Sequence, residues 1–191
     1  MSAIYFKSSK IEPFILISYD YKEENERLIL NSINFFNRER DIWDYLEANN
    51  LKLKNSFNPN EDFIIQNVIT LINDYLSGKK ISLYEKFNDL KIDLNLKDKF
   101  STEFALKVIK HILEVKYGDV ATYSEIGKKF GSKAYRAIGS VLRKNPMPLI
   151  IPCHRVIRKN GKIGGFMGKT NSSWQQILKN DLLNLEKQNS I

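Results

Sequence analysis

The stretch TYSEIGKKFGSKAYRAIGSVLRKNP, residues 122–146, decides how half of this chain folds. Thr122 and Glu125 stand three apart, the spacing of a capping box, in which the threonine oxygen takes the amide three residues on and the glutamate reaches back. The helix they open carries Ile126 and Phe130 and stops at Gly131. Ser132 then reads as the cap of a second helix. Its apolar residues Ala134, Ala137, Ile138, Val141 and Leu142 fall at i, i+3, i+4, i+7 and i+8 until Asn145-Pro146. A short helix, a tight turn with glycine and a longer helix make the spacing of a helix-turn-helix. Lys133, Tyr135, Arg136, Arg143 and Lys144 lie off the apolar stripe.

Any helical hairpin shares that pattern, and charge sets this one apart. The 191 residues carry a net +8. Residues 98–191 hold 17 Lys and Arg against 7 Asp and Glu, whereas residues 1–97 hold 13 against 15. Within 120–169 there are 11 basic residues and one acid, Glu125. An excess confined to one half points to a polyanionic partner rather than a solvated surface.

Outward from the hairpin, Ser101 or Thr102 caps a helix with Phe104, Val108, Ile112 and Val115 on one face, closing at Gly118. Polar KIDLNLKDKF, residues 91–100, reads as a linker, so two domains are expected, 1–97 and 98–191. In the first, residues 4–6 and 14–19 read as strands around Pro13. Asn58-Pro59 opens a helix with Ile65, Val68, Ile69, Ile72 and Leu76 ending at Gly78, and residues 43–53 read as helical. No apolar run nears 18 residues, and no secretory signal is expected at the N-terminus. One cysteine forms no internal disulfide, and a free thiol fits a reducing, cytoplasmic setting. One cysteine and two histidines are too few for a structural zinc site, so no metal is expected.

That one cysteine sits in LIIPCHRVI, residues 149–157. Residues 149–151 read as a short buried strand ended by Pro152. Lone cysteines are often small core residues. Here His154 and Arg155 follow directly, and cations beside a thiol favour the nucleophilic thiolate. A hydrolase built on this Cys-His pair is disfavoured, because neighbours in an extended chain point to opposite faces. A plain transcription regulator would need no thiol. His111, the other histidine, reads as an ordinary helix-surface residue.

The run Pro152-Cys153-His154-Arg155-Val156, with YRAIGSVLRKNP before it and GKIGGFMGK after it, closely resembles the O6-alkylguanine-DNA alkyltransferase family over residues 100–185. The resemblance implies an α+β protein. A small ribonuclease H-like α/β domain would come first, then a mostly helical, winged helix-turn-helix-like domain. It implies a monomeric repair protein that binds double-stranded DNA through the minor groove and flips an O6-alkylguanine into a pocket. The alkyl group would move irreversibly to Cys153 in one turnover, with no cofactor. Whether O4-alkylthymine is also accepted stays open.

The family's general base falls on His154, its arginine finger on Arg136, and its tyrosine at the target phosphate on Tyr123. Thr122, Ser124, Lys133, Tyr135, Ala137, Ser140 and Arg143 are the matching DNA contacts. Asn145 matches a bracing asparagine, and Val156 a backbone acceptor for the guanine 2-amino group. Ile163, Gly164, Gly165, Phe166, Met167 and Gly168 match the pocket lid. The acid that orients the histidine falls on the last helix. There Trp174, Ile177, Leu178, Asp181 and Leu185 share a face, which nominates Asp181, with Glu186 as the alternative. The family's glutamate is shortened if Asp181 is right. Phe166 replaces a usual tyrosine, Met167 a serine and Ser140 a glycine. A lesion sensor without chemistry, known among relatives, would lack Cys153.

Overall fold

The computed structural model describes residues 1–55, 58–96, 98–169 and 173–190. The chain divides into two compact units, Met1–Lys79 with Glu85–Asn95, and Lys80–Tyr84 with Leu96–Ile191.

The first unit is a mixed sheet with helices. Strands β1 (Ser2–Lys7), β2 (Phe14–Lys22) and β3 (Arg27–Phe36) pair antiparallel in chain order. After helix α1 (Glu39–Ala48), the short β4 (Lys52–Leu53) adds parallel to β1. Helix α2 (Pro59–Leu76) follows, with the Asn58 side chain accepting from the Glu61 amide at 2.8 Å and Pro59 in the first turn. After α3 (Leu83–Asp89), β5 (Asp93–Leu94) adds parallel to β3, giving the order β4-β1-β2-β3-β5.

Central β2 is buried without a break from Ile15 to Tyr19, as a strand covered on both faces must be. Leu16 packs with Ala3, Ile42 and Leu46, so α1 covers that face. The Tyr19 hydroxyl, on the alternate face, donates to Glu61 of α2 at 3.1 Å.

Two expectations change in this unit. The helix expected over 43–53 runs from Glu39 to Ala48 instead, and Lys52–Leu53 is a strand. The expected linker 91–100 is partly structured, because Asp93–Leu94 extends the sheet while Ile92 and Phe100 are buried. Its Lys97 lies outside the described residues. Two apolar anchors spaced through a polar stretch pin the chain without producing a periodic signal.

In the second unit, Thr102 caps α4 (Glu103–Leu113), accepting from the Ala105 amide at 3.1 Å. Strand β6 (Ala121–Thr122) leads into α5 (Tyr123–Lys128), whose capping box has both bonds in place. Helix α6 (Tyr135–Arg143) begins later than expected. Its N-cap is Ala134, and the Ser132 hydroxyl instead accepts from the Ala134 amide at 3.1 Å, tightening the turn. Ile138 and Leu142 point inward, while Ala134 and Ala137 of the expected stripe are exposed.

Residues 149–151 are buried but form a turn rather than a strand. Pro146, Pro148 and Pro152 remove three amide donors, Leu149 adopts φ +76°, and the Ile151 amide closes back on the Met147 carbonyl at 2.9 Å. Cys153–Arg155 then make one 3-10 turn before β7 (Val156–Ile157) pairs parallel with β6. Helix α7 (Trp174–Gln188) completes the unit. Among the described residues no helix is long and apolar enough to cross a membrane.

Candidate active site

Cys153 lies at the floor of a cavity of about 610 Å³ walled by α5, α6 and the segment after β7. Tyr123 and Ser124 come from α5, Tyr135, Arg136, Gly139, Ser140, Leu142 and Arg143 from α6, and Arg158, Lys159, Gly165, Phe166, Met167, Gly168 and Lys169 from the chain beyond β7. The 3-10 turn aims the thiol inward, and the side chain is 6% exposed.

Asn145, just past the end of α6, fastens this turn. Its Nδ2 donates to the Ile151 carbonyl at 2.9 Å and to Cys153 Sγ at 3.1 Å, while its Oδ1 accepts from the Met147 amide at 3.0 Å. Burial pushes the thiol pKa up, and the Asn145 bond and the Lys179 charge work against that rise.

Behind the thiol is a buried polar cluster. His154 Nε2 lies 3.0 Å from Glu186 Oε1. Arg155 Nε donates to both Glu186 oxygens, at 3.1 and 2.9 Å, its Nη2 donates to Oε1 at 2.8 Å, and its Nη1 donates to the Val115 carbonyl at 2.7 Å. The Gly118 amide donates to Oε2 at 3.2 Å. Gly118 has φ +84°, and a Cβ there would stand 2.4 Å from Ser190 Cβ, so this approach to α7 needs glycine.

Burial alone would raise the Glu186 pKa, but bonds from His154 and Arg155 override it and hold the carboxyl well below the ordinary range. Burial lowers the pKa of His154 and outweighs the opposing pull of Glu186. The imidazole is therefore neutral beside an ionised glutamate, donating its Nε2 proton there and keeping the lone pair on Nδ1.

Two expectations on α7 are corrected. Asp181 is exposed and takes no part, and Glu186 is the acid on His154. The face also differs. Leu178, Lys179, Leu182 and Glu186 turn inward, while Ile177 is 64% exposed. A hydrophobic stripe could not show this, since two of the four inward residues are charged and are buried only because partners await them.

The neighbours of the thiol are also redistributed. Arg155 is committed to Glu186, and the cation that acts on Cys153 is Lys179, which the sequence reading passed over. Lys179 Nζ donates to the Val156 carbonyl at 2.7 Å and the Gly165 carbonyl at 3.4 Å. Burial lowers its pKa to about 8.

The remaining expected residues fall as follows. Tyr123 is half-buried at the cavity wall, and its hydroxyl is 2.9 Å from where a Cβ on Gly164 would stand, so a larger residue at 164 would push the tyrosine aside. Burial raises the Tyr123 pKa, and the nearby Cys153 adds to the rise. Arg136, Ser140 and Arg143 are exposed residues at the cavity, with Ser140 Oγ donating to the Arg136 carbonyl at 3.1 Å.

Lys133 and Ala137 are exposed but do not line the cavity, and Thr122 is half-buried with its hydroxyl in the cap and 2.9 Å from Ser124 Oγ. Ile163, Gly164, Asn145 and Val156 do not line the cavity. Phe166 and Lys169 exchange two 2.9 Å backbone bonds around a tight turn that holds Met167 at φ +48° and Gly168 at +79°. His111 Nδ1 lies 3.1 Å from Glu114 Oε2, and its ring stacks on Phe130, so it serves the helix surface.

Fold and site together define a class, a helix-turn-helix unit presenting a single buried thiol to a cavity under its basic helix. Residues 103–188 match the family model described as 6-O-methylguanine DNA methyltransferase, DNA binding domain. A methylated-DNA–protein-cysteine methyltransferase of Methanosarcina mazei is 36% identical over 139 residues, which are 72% of this chain and 77% of the relative. One of Metallosphaera sedula is 38% identical over 115 residues, covering 60% and 63%. One of Saccharomyces cerevisiae is 40% identical over 93 residues, 48% of this chain and 46% of the relative, so the match spans about half of that protein. The crystal structure of Mycobacterium tuberculosis OGT in complex with DNA aligns with TM-score 0.66 at 22% identity, covering 99% of this chain and 94% of that one. The chain belongs to the methylated-DNA–protein-cysteine methyltransferase family.

Proposed function

We propose that this chain repairs O6-alkylguanine in duplex DNA by taking the alkyl group onto Cys153. The observation that carries the reading is the placement of the only cysteine at the floor of a cavity walled by the basic helix α6, with a His-Glu pair behind it. In the step, the Sγ–carbon bond forms as the carbon–O6 bond breaks. The thiol proton leaves through His154 and a water, and the guanine gains one proton and returns to its ordinary form. Nothing regenerates the thiol, so each chain acts once.

DNA would lie along the exposed face of α6 through its minor groove, with Arg136 filling the gap left by the flipped base. Tyr123 would crowd the adjacent phosphate and offer its hydroxyl to guanine N3. Ser124, Lys133, Tyr135, Ala137, Ser140 and Arg143 would meet the backbone, with Thr122 setting the start of α5. The Phe166–Lys169 turn would close over the base, with the Met167 amide toward O6 and Val156 offering its carbonyl. That carbonyl already accepts from Lys179, so the 2-amino group would use its second lone pair. We assign the first unit to a ribonuclease H-like supporting domain, on its antiparallel three-strand meander with a parallel strand at the β1 edge. We assign the second to a winged helix-turn-helix-like domain acting as a monomer. O4-alkylthymine is the second lesion to try.

The test uses excess duplex carrying one O6-[³H]methylguanine per molecule. The reading expects label on the protein to plateau at one per chain. Continued turnover, or label that stays on DNA, contradicts it.

A further inference from the structure

Lys179 is the buried charge that neither the fold nor the His-Glu pair explains. It is fully buried on α7, and its hydrogen-bond partners among the described residues are two neutral carbonyls, Val156 and Gly165. Holding an ammonium away from water with no carboxylate on it is costly, and an apolar residue would fill the space without that cost. The two carbonyls belong to the segments that matter here. Val156 is three residues past the thiol, and Gly165 belongs to the cavity wall.

We propose that Lys179 is a positioning residue for alkyl transfer, tying the strand that leaves Cys153 to the cavity wall and supplying the positive charge that faces the thiolate. This rests on reading Cys153 as the alkyl acceptor. Arg136 and Arg143 of α6 and Arg158, Lys159 and Lys169 beyond β7 line the same cavity, and all five are exposed to solvent. Tyr123 faces the thiol from α5, and Arg158 follows β7 and opposes the charge on Lys179. His154 is neutral, and Arg155 and Glu186 neutralise each other behind it. Lys179 is therefore the buried cation left to balance a thiolate, and Cys153 in turn supports the charge on Lys179 against burial.

The test measures the rate of Cys153 alkylation by iodoacetamide against pH, without DNA, in the full chain and in Lys179→Met and Lys179→Arg. The rise of rate with pH should move up by about one unit in Lys179→Met, making that variant roughly tenfold slower near pH 7. Lys179→Arg should restore the profile. Superimposable profiles for Met and the unaltered chain overturn the proposal. Should Lys179→Met fail to fold, the reciprocal measurement decides. The Lys179 amine is titrated by NMR in the unaltered chain and in Cys153→Ser, and its midpoint should fall when the thiolate is removed, since coupling between two sites is mutual. An unchanged midpoint overturns the proposal. Because iodoacetamide needs no lesion, the two failures are distinguishable: a chain that takes no methyl from DNA sinks the repair reading and with it the role in alkyl transfer, whereas superimposable profiles in a chain that does take the methyl sink the Lys179 role alone.

Discussion

Each unit buries one glutamate against a cation, and the two do different work. In the first unit, Glu61 accepts from Tyr19 at 3.1 Å and from Lys54 at 2.6 Å, and Lys54 keeps 31% of its side chain in water. In the second, Glu186 is met by buried His154, by three bonds from buried Arg155 and by the amide of half-buried Gly118. The Glu61 cluster ends in solvent and joins α2 to the sheet. The Glu186 cluster ends at a histidine whose chain neighbour is the thiol on the cavity floor. A satisfied buried charge is structural by default. It becomes chemical when the group it orients borders an open space.

Substitution should separate the two. Glu186→Gln strands Arg155 in the interior and should cost about 3–5 kcal/mol, as breaking a buried ion pair does. Thermal unfolding reads the loss, and methyl transfer should slow with it. Glu61→Gln leaves Lys54 free to turn to water and should cost less, about 1–3 kcal/mol, with transfer rate unchanged. Equal costs would dissolve the contrast. Gly118→Ala should cost roughly 1–2 kcal/mol for the left-handed backbone alone, with the Ser190 clash added.

Arg136→Ala touches neither cluster. Stability should stay within about 0.5 kcal/mol. Transfer from duplex should fall about tenfold or more, given that flipping costs a few kcal/mol, while transfer from a free alkylated base should persist. Equal loss on both substrates removes the finger role. The smallest effect belongs to Asp181→Ala, within about 0.5 kcal/mol and without change in rate, because the residue is exposed.

Acid adds a further contrast. Glu186 has its pKa lowered in the fold, so its stabilisation is full above the ordinary glutamate value and is lost as pH falls through the folded one. His154 is also lowered, so the unfolded chain binds its proton first and stability begins to fall below about pH 6.5. In His154→Gln the decline should start only in the carboxylate range, which a series of unfolding curves would show.

Residues differed in how legible they were. The capping box at Thr122 and the Asn58-Pro59 start were readable because each is a local hydrogen-bond pattern. Cys153 and His154 were readable from their neighbours in the chain. The face of α7 was not, because Lys179 and Glu186 are buried through partners distant in sequence, Val156 and Arg155. A polarity stripe therefore nominated Asp181. Residues 149–151 look like a strand because they are apolar, yet the prolines around them and the φ of Leu149 make them a turn.

The most direct measurement is intact mass after incubation with a duplex carrying one O6-methylguanine, with Cys153→Ser run beside it. The account predicts one added methyl, about 14 Da, on a covalent nucleophile that is not regenerated, and no addition in the variant. An unchanged mass in the unaltered chain, or the same addition in Cys153→Ser, would contradict it.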